Sequence, residues 1–319
     1  MPGARFLLPA EFVAAPGAAS ETWSRADSVR YTRWLARHHY ENFHIVTLLL
    51  PRPLHQDFYN VYAFCRWADD LGDEIGNPEL SLRLLEWWRG ELARLYRGEA
   101  SHPVFVALEE TVRRHEIPEQ PFADLIRAFV QDQSLTHYET WAQLLDYCVY
   151  SANPVGHLVL YLGGYRDAER RRLSDATCTA LQLANHWQDV TRDLAKGRVY
   201  IPRELMIAHG YRPEDLEQRR YNKNFRELMQ ELVNRAHLLF LEGLPLADQV
   251  NRRLAVDLEL FSRGGLAILE KIRAQDYNVL AARPAIGKWE RLALLAGALR
   301  RLWPGRAAPA VKEAADVLR

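Results

Sequence analysis

The sequence predicts an all-α protein. Apolar residues recur at three- and four-residue spacing along most of the 319 residues, alternating strand patterns are scarce, and helix-starting and helix-stopping residues bracket the periodic runs. The length suits one large domain or two ordinary ones. No shift in composition divides the chain, so we expect a single helical domain over 26–300, a loose leader at 1–25 and a tail at 301–319.

Taken in order, "MPGARFLLPAEFVAAPGAAS" carries one Arg and then Pro9, Glu11 and Pro16 within its apolar run, a poor signal peptide. "HIVTLLLPRPL" is the longest apolar candidate, and prolines and an arginine break it well short of a membrane span. "LSLRLLEWWRGELARLY" places Leu82, Leu85, Trp88, Leu92 and Leu95 at helical spacing, and "PFADLIRAFVQD" opens on a proline suited to a first helical turn. "AQLLDYCVYSANPVGHLVLYLGGY" is a long apolar stretch interrupted at Asn153-Pro154. "SDATCTALQLANHWQDVTRDLAKG" is expected to start at its Ser-Asp cap and stop at Gly197. "RVYIPRELMIAHGYRPEDL" is punctuated by Pro and Gly and is expected as a hinge or lid. "NFRELMQELVNRAHLLFLEGL" and "VDLELFSRGGLAILEKIRAQ" supply two more helices.

With 48% hydrophobic residues and 41 basic against 41 acidic side chains, the chain reads as a folded protein without the basic excess of a nucleic-acid binder. Cys65, Cys148 and Cys178 form no CxxC pair, so neither a disulfide framework nor a zinc site is expected, and a reducing, cytoplasmic setting is.

Two segments concentrate negative charge. In "CRWADDLGDEIG", Tyr62, Arg66, Asp69 and Asp73 fall at i, i+4, i+7 and i+11, one helix face. In "NHWQDVTRDLAKGR" and the turn before it, Gln182, Asn185, Asp189 and Asp193 fall at i, i+3, i+7 and i+11, again one face. Like charges one turn apart cost a helix only about 0.2–0.5 kcal/mol, so an acidic pair by itself is compatible with a solvated face. Around Asp189, however, Cys178, Leu181, Trp187 and Val190 make an apolar setting, in which carboxylates need cations. Hard ions such as Mg²⁺ bridge a few carboxylates to substrate phosphates. Two facing acidic helices would thus hold a diphosphate through several Mg²⁺ ions. Arg66, Arg192, Lys196 and Arg198 stand close by in sequence to meet phosphate oxygens.

"YAFCRWADDLGDE" and "LQLANHWQDVTRDLAKGRVYIP" resemble the two aspartate-rich motifs of the squalene/phytoene synthases, all-α head-to-head prenyl transferases. The likeness runs from about Arg37 to about Tyr277. Within that family, "HYENF", "SANPVG" and "FSRGGLAILEKI" are most similar to bacterial hydroxysqualene synthases of the hopanoid pathway. The resemblance implies an isoprenoid-synthase-type bundle around a central cavity. It implies conversion of presqualene diphosphate and water to hydroxysqualene and diphosphate, with two or three Mg²⁺ and no nicotinamide cofactor. Carried over, Asp69 and Asp73 are the first metal pair and Asn185, Asp189 and Asp193 the second set. Asp69, Asp73, Asp189, Asp193, Tyr62 and Arg66 are the catalytic group. Arg66, Arg198, Tyr200, Arg192 and Lys196 lie on the diphosphate side. Phe43, Asn42, Ala152, Asn153, Val155, Gly156, Leu181 and Gln182 line the lipid cavity. The implied partners are an isoprenoid diphosphate substrate, a presqualene diphosphate synthase upstream and a membrane surface touched peripherally, with a basic or aromatic rim near "RHHY".

The chain departs from many relatives in three places. Glu41 and Asn42 replace a Ser and a basic residue, Gln188 stands where Asn-x-x-Arg-Asp has its Arg, and Arg263 to Gly265 occupy a place where a tyrosine is common. The rival readings are synthesis of presqualene diphosphate, squalene or phytoene from two prenyl diphosphates, a non-catalytic assembly factor, and an acidic helical binding module.

Overall fold

The computed structural model describes residues 6–14, 23–39, 51–299 and 302. The described residues are helical, without a strand, apart from an isolated bridge pairing His137 with Val199. In chain order the helices are α1 (Pro9–Ala14), α2 (Arg25–His39), α3 (His55–Asp73), α4 (Pro78–Tyr96), α5 (Pro103–His115), α6 (Gln120–Gln131), α7 (Trp141–Ser151), α8 (Asn153–Leu162), α9 (Ala168–Ala195), α10 (Arg203–Ala208), α11 (Pro213–Glu217), α12 (Lys223–Gly243), α13 (Arg252–Ala274) and α14 (Lys288–Leu299). The chain forms two compact units, residues 1–134 with 157–166, and residues 135–156 with 167–319. No described helix is long and apolar enough to cross a membrane.

In the first unit, α3 buries Phe58, Val61, Phe64, Trp67, Ala68 and Leu71. Trp67 stacks on Trp88 of α4 at 5.1 Å between ring centres, and His102 stands edge-on to Trp67 at 4.5 Å. Burial pushes the His102 imidazole down to about 3, so it packs as a neutral ring. Leu85, Trp88, Leu92 and Leu95 of α4 are buried as their spacing predicts, while Leu82 faces solvent. Where the leader is described it is packed. Phe12 stands edge-on to Trp67 at 5.1 Å, and Tyr31 donates to the Leu7 carbonyl at 2.9 Å.

The second unit is organised on α9, a 28-residue helix that packs along α12 and α13. It begins earlier than its sequence cap suggests. Asp167 accepts from the Arg170 amide at 3.0 Å and caps the helix, leaving Ser174 buried inside it. Gly197 ends it at φ +74, a left-handed conformation that glycine adopts without a Cβ clash. The segment over 198–216, expected as a hinge or lid, holds two short helices, α10 and most of α11. The Tyr211 hydroxyl donates to the Arg220 carbonyl at 3.0 Å and braces this segment.

Close approaches set the packing here. A Cβ on Gly265 of α13 would strike the Phe240 ring and lie 3.0 Å from a Leu181 methyl. Gly264 beside it faces open space. At Gly156 a Cβ would collide with Ser174 Oγ and come to 2.7 Å from Cys178 Sγ. Gly156→Ala is therefore expected to lower stability by about 1–3 kcal/mol, as overpacking does. A denaturant midpoint equal to the parent's would show that α8 yields without cost.

Candidate active site

The first acidic cluster lies on the face of α3 that its apolar side leaves out. Tyr62, Arg66, Asp69 and Asp73 are all half-buried along one stripe, as their spacing requires. Arg66 sits at its centre. Its Nη1 donates to Asp69 Oδ2 at 3.2 Å, and its Nη2 pairs with the buried Asp70 one turn on. Asp70, off the stripe, is thus an internal partner for Arg66. Burial raises the Asp69 carboxyl to about 6. Arg66 pulls against that rise, and the neighbouring Asp73, Asp70 and Glu74 add to it.

The second cluster lies on α9. Asn185 is exposed, and Asp189 and Asp193 are half-buried, while Leu183, Ala184, Trp187 and Val190 turn inward. Trp187 is fully buried and belongs to the core. The Asp193 carbonyl accepts from the Arg198 amide at 2.9 Å, folding the chain back past Gly197. Asp193, Arg198 and Tyr200 thereby line one small recess with His186, Val190 and Leu216. His186 stacks on Tyr200 at 3.6 Å between ring centres, and Tyr138 and Tyr147 flank Tyr200 at 5.6 and 5.9 Å. Burial pushes His186 down to about 3, so this stack is a neutral support that fixes the Tyr200 ring. Sequence reasoning missed His186, although it stands inside the motif. Lys196 and Arg192 are exposed, and Arg192 lies 3.6 Å from Asp189.

Of the residues assigned to the lipid cavity, Phe43 and Asn42 lie outside the described residues, as does Glu41. Ala152 and Asn153 are buried, and Asn153 Oδ1 accepts from Thr179 Oγ1 at 3.0 Å, which ties α8 to α9. Gly156 is spent on the α8–α9 approach described above. Leu181 and Gln182 are half-buried, and Val155 is 43% exposed.

The donor set fits a hard divalent cation. Each cluster offers oxygen donors one turn apart, and the burial and neighbouring carboxylates that hold up the Asp69 carboxyl are what a cation would offset. Among the described residues, no three His, Cys, Asp or Glu side chains close into a metal cage. Mg²⁺ does not require one, because it takes one or two carboxylates and completes its shell with water and substrate phosphates.

The squalene/phytoene synthase pattern matches residues 36–290. The chain belongs to the squalene/phytoene synthase family. Among its relatives, the phytoene synthase of Thermus thermophilus is 35% identical over 81% of this chain and 88% of its own. The hydroxysqualene synthase of Rhodopseudomonas palustris is 32% identical over 75% and 82%. The crystal structure of squalene synthase HpnC from Alicyclobacillus acidocaldarius superposes with a TM-score of 0.77 at 48% identity, covering 80% of this chain and 96% of that one. Squalene/phytoene synthases are prenyl-transferring enzymes of isoprenoid biosynthesis that act on isoprenoid diphosphates, and this chain is such an enzyme.

Proposed function

We propose that the chain is a hydroxysqualene synthase, releasing diphosphate from presqualene diphosphate and adding water. The observation that carries this reading is the retention of both oxygen-donor sets, Asp69 with Asp73 and Asn185 with Asp189 and Asp193, in a chain 48% identical to a squalene synthase over 80% of its length. A non-catalytic assembly factor or an acidic binding module has no need for the full set.

In this mechanism the two carboxylate sets would hold Mg²⁺, which when bound would supply Lewis acidity to the leaving oxygens. Arg66 and Arg198 donate charge-assisted hydrogen bonds to phosphate oxygens, where negative charge develops. Tyr62 and the stacked Tyr200 add hydroxyls on the same side of their clusters. The carbon–oxygen bond to diphosphate breaks, with the electron pair leaving on oxygen. The cyclopropylcarbinyl cation rearranges with cleavage of a ring carbon–carbon bond, a water oxygen bonds to the resulting allylic cation, and one proton is released. No reductant enters, so no nicotinamide cofactor is needed.

The 35% identity to a phytoene synthase favours a second reading, condensation of two prenyl diphosphates. One experiment separates them. Purified protein is incubated with presqualene diphosphate and Mg²⁺ in ¹⁸O-labelled water, and the lipid extract is read by mass spectrometry. A singly labelled C30 alcohol is expected. Inertness there, with consumption of farnesyl or geranylgeranyl diphosphate in parallel tubes, would replace this reading with the second.

A further inference from the structure

Gln188 stands where the relatives' motif carries an arginine. Its side chain is buried, and its Nε2 donates to the Pro284 carbonyl at 2.6 Å. The residue before that proline, Arg283, lays a two-pronged guanidinium on Asp189. Nε donates to Oδ1 at 2.5 Å and Nη2 to Oδ2 at 2.9 Å. The segment presenting it is firmly held. Val279 and Leu280 are buried, the Ala281 amide donates to Asn278 Oδ1 at 3.1 Å, and Gln275 Nε2 donates to the Ala282 carbonyl at 3.1 Å.

We infer that Arg283 supplies from the C-terminal side the guanidinium that the second acidic motif lacks at Gln188. It pairs with Asp189 and turns to phosphate oxygens when cation and diphosphate bind. Gln188 is its positioning residue, acting through the Pro284 carbonyl. The inference rests on the metal and diphosphate reading of the α9 cluster. A planar guanidinium fork matches carboxylate and phosphate geometry alike, so one side chain serves both states. Asp189 cannot offer both oxygens to a cation while the fork holds them, so Arg283 and Mg²⁺ compete until an anion takes Arg283 away. Arg192, on the same helix, reaches Asp189 only at 3.6 Å and does not replace the fork.

The test is calorimetric titration of the full-length protein, first with MgCl₂ alone and then with inorganic diphosphate in excess Mg²⁺. Arg283→Ala is expected to bind Mg²⁺ alone more tightly than the parent. The same variant should bind Mg²⁺–diphosphate about 10- to 100-fold more weakly, the loss of a bidentate charge-assisted pair. Arg283→Lys, which keeps the charge without the fork, should recover only part of the diphosphate affinity. Gln188→Ala should weaken diphosphate binding in the parent and add nothing in the Arg283→Ala background. Unliganded melting curves screen each variant for folding. Opposite movement of the two affinities supports the hand-over. Movement in the same direction, or no change in either, overturns it, as does a Gln188→Ala effect that persists without Arg283. A parent protein that binds no Mg²⁺–diphosphate at all removes the site reading itself, an outcome distinct from both.

Discussion

Replacing Asp69 with asparagine is expected to cut turnover by at least about a hundredfold, on the scale of removing one preorganised group from a charge-stabilising site. The same variant should melt no lower than the parent at neutral pH. Asp69 is held above the usual carboxylate range by burial, and Asp73, Asp70 and Glu74 oppose its charge further. On the proposed reading its carboxylate serves a cation more than it ties the structure together. Arg66 keeps its pair with Asp70 when Asp69 is neutralised. Steady-state kinetics in saturating Mg²⁺ beside a thermal melt decide the matter. Parent-like turnover would remove Asp69 from the machinery, and a collapsed melt would make it structural.

The second large effect concerns Asp257 on α13. It is 2% exposed, and neither carboxylate oxygen finds a hydrogen-bond partner among the described residues. Burial pushes its carboxyl up to about 8. An unfolded aspartate ionises near 3.8, so between about pH 4 and pH 8 the folded chain holds a proton that the unfolded chain has released. The contribution of this group to stability therefore falls as pH rises through that window and levels off above it. The slope for one proton is about 1.4 kcal/mol per pH unit. Asp257→Asn removes the titration while keeping the shape. It is expected to match the parent near pH 4 and to exceed it by a few kcal/mol, on the order of 1–4, near pH 8. Denaturant unfolding at both pH values measures the gap. Parallel stabilities across the window would mean that water or a rearranged partner satisfies Asp257.

Much of this was legible in the sequence because helices announce themselves by which positions are apolar. The α3 stripe is the clearest case. Phe64, Trp67, Ala68 and Leu71 mark the inside, so Tyr62, Arg66, Asp69 and Asp73 had to share what remained. The start of α9 was not legible, since "DAERRR" has no apolar periodicity and only Asp167 signals the cap. The short helices α10 and α11 hid inside a Pro- and Gly-punctuated stretch, where turn residues outweigh a single helical turn. Arg283 could not be found by spacing at all. It lies 94 residues beyond Asp189, and only the fold brings its fork there. Nor does spacing reveal that Asp257 lacks a partner among the described residues, because either acid in "VDLELF" reads equally well as a solvated residue.

The early cap of α9 has a mechanical consequence. Twenty-eight residues make a rod roughly 42 Å long at 1.5 Å per residue. The acidic cluster occupies its far end. The near half is clamped, by the Arg170 Nε bond to the Gln249 carbonyl at 2.8 Å, by the bond between Asn153 and Thr179, and by the crowding of Gly243 and Gly156 against Thr177 and Ser174. A small pivot at those clamps is multiplied along the lever before it reaches Asp189 and Asp193. Substitutions about three to six turns from Asp189 and Asp193 therefore tune the aim of these carboxylates without touching them.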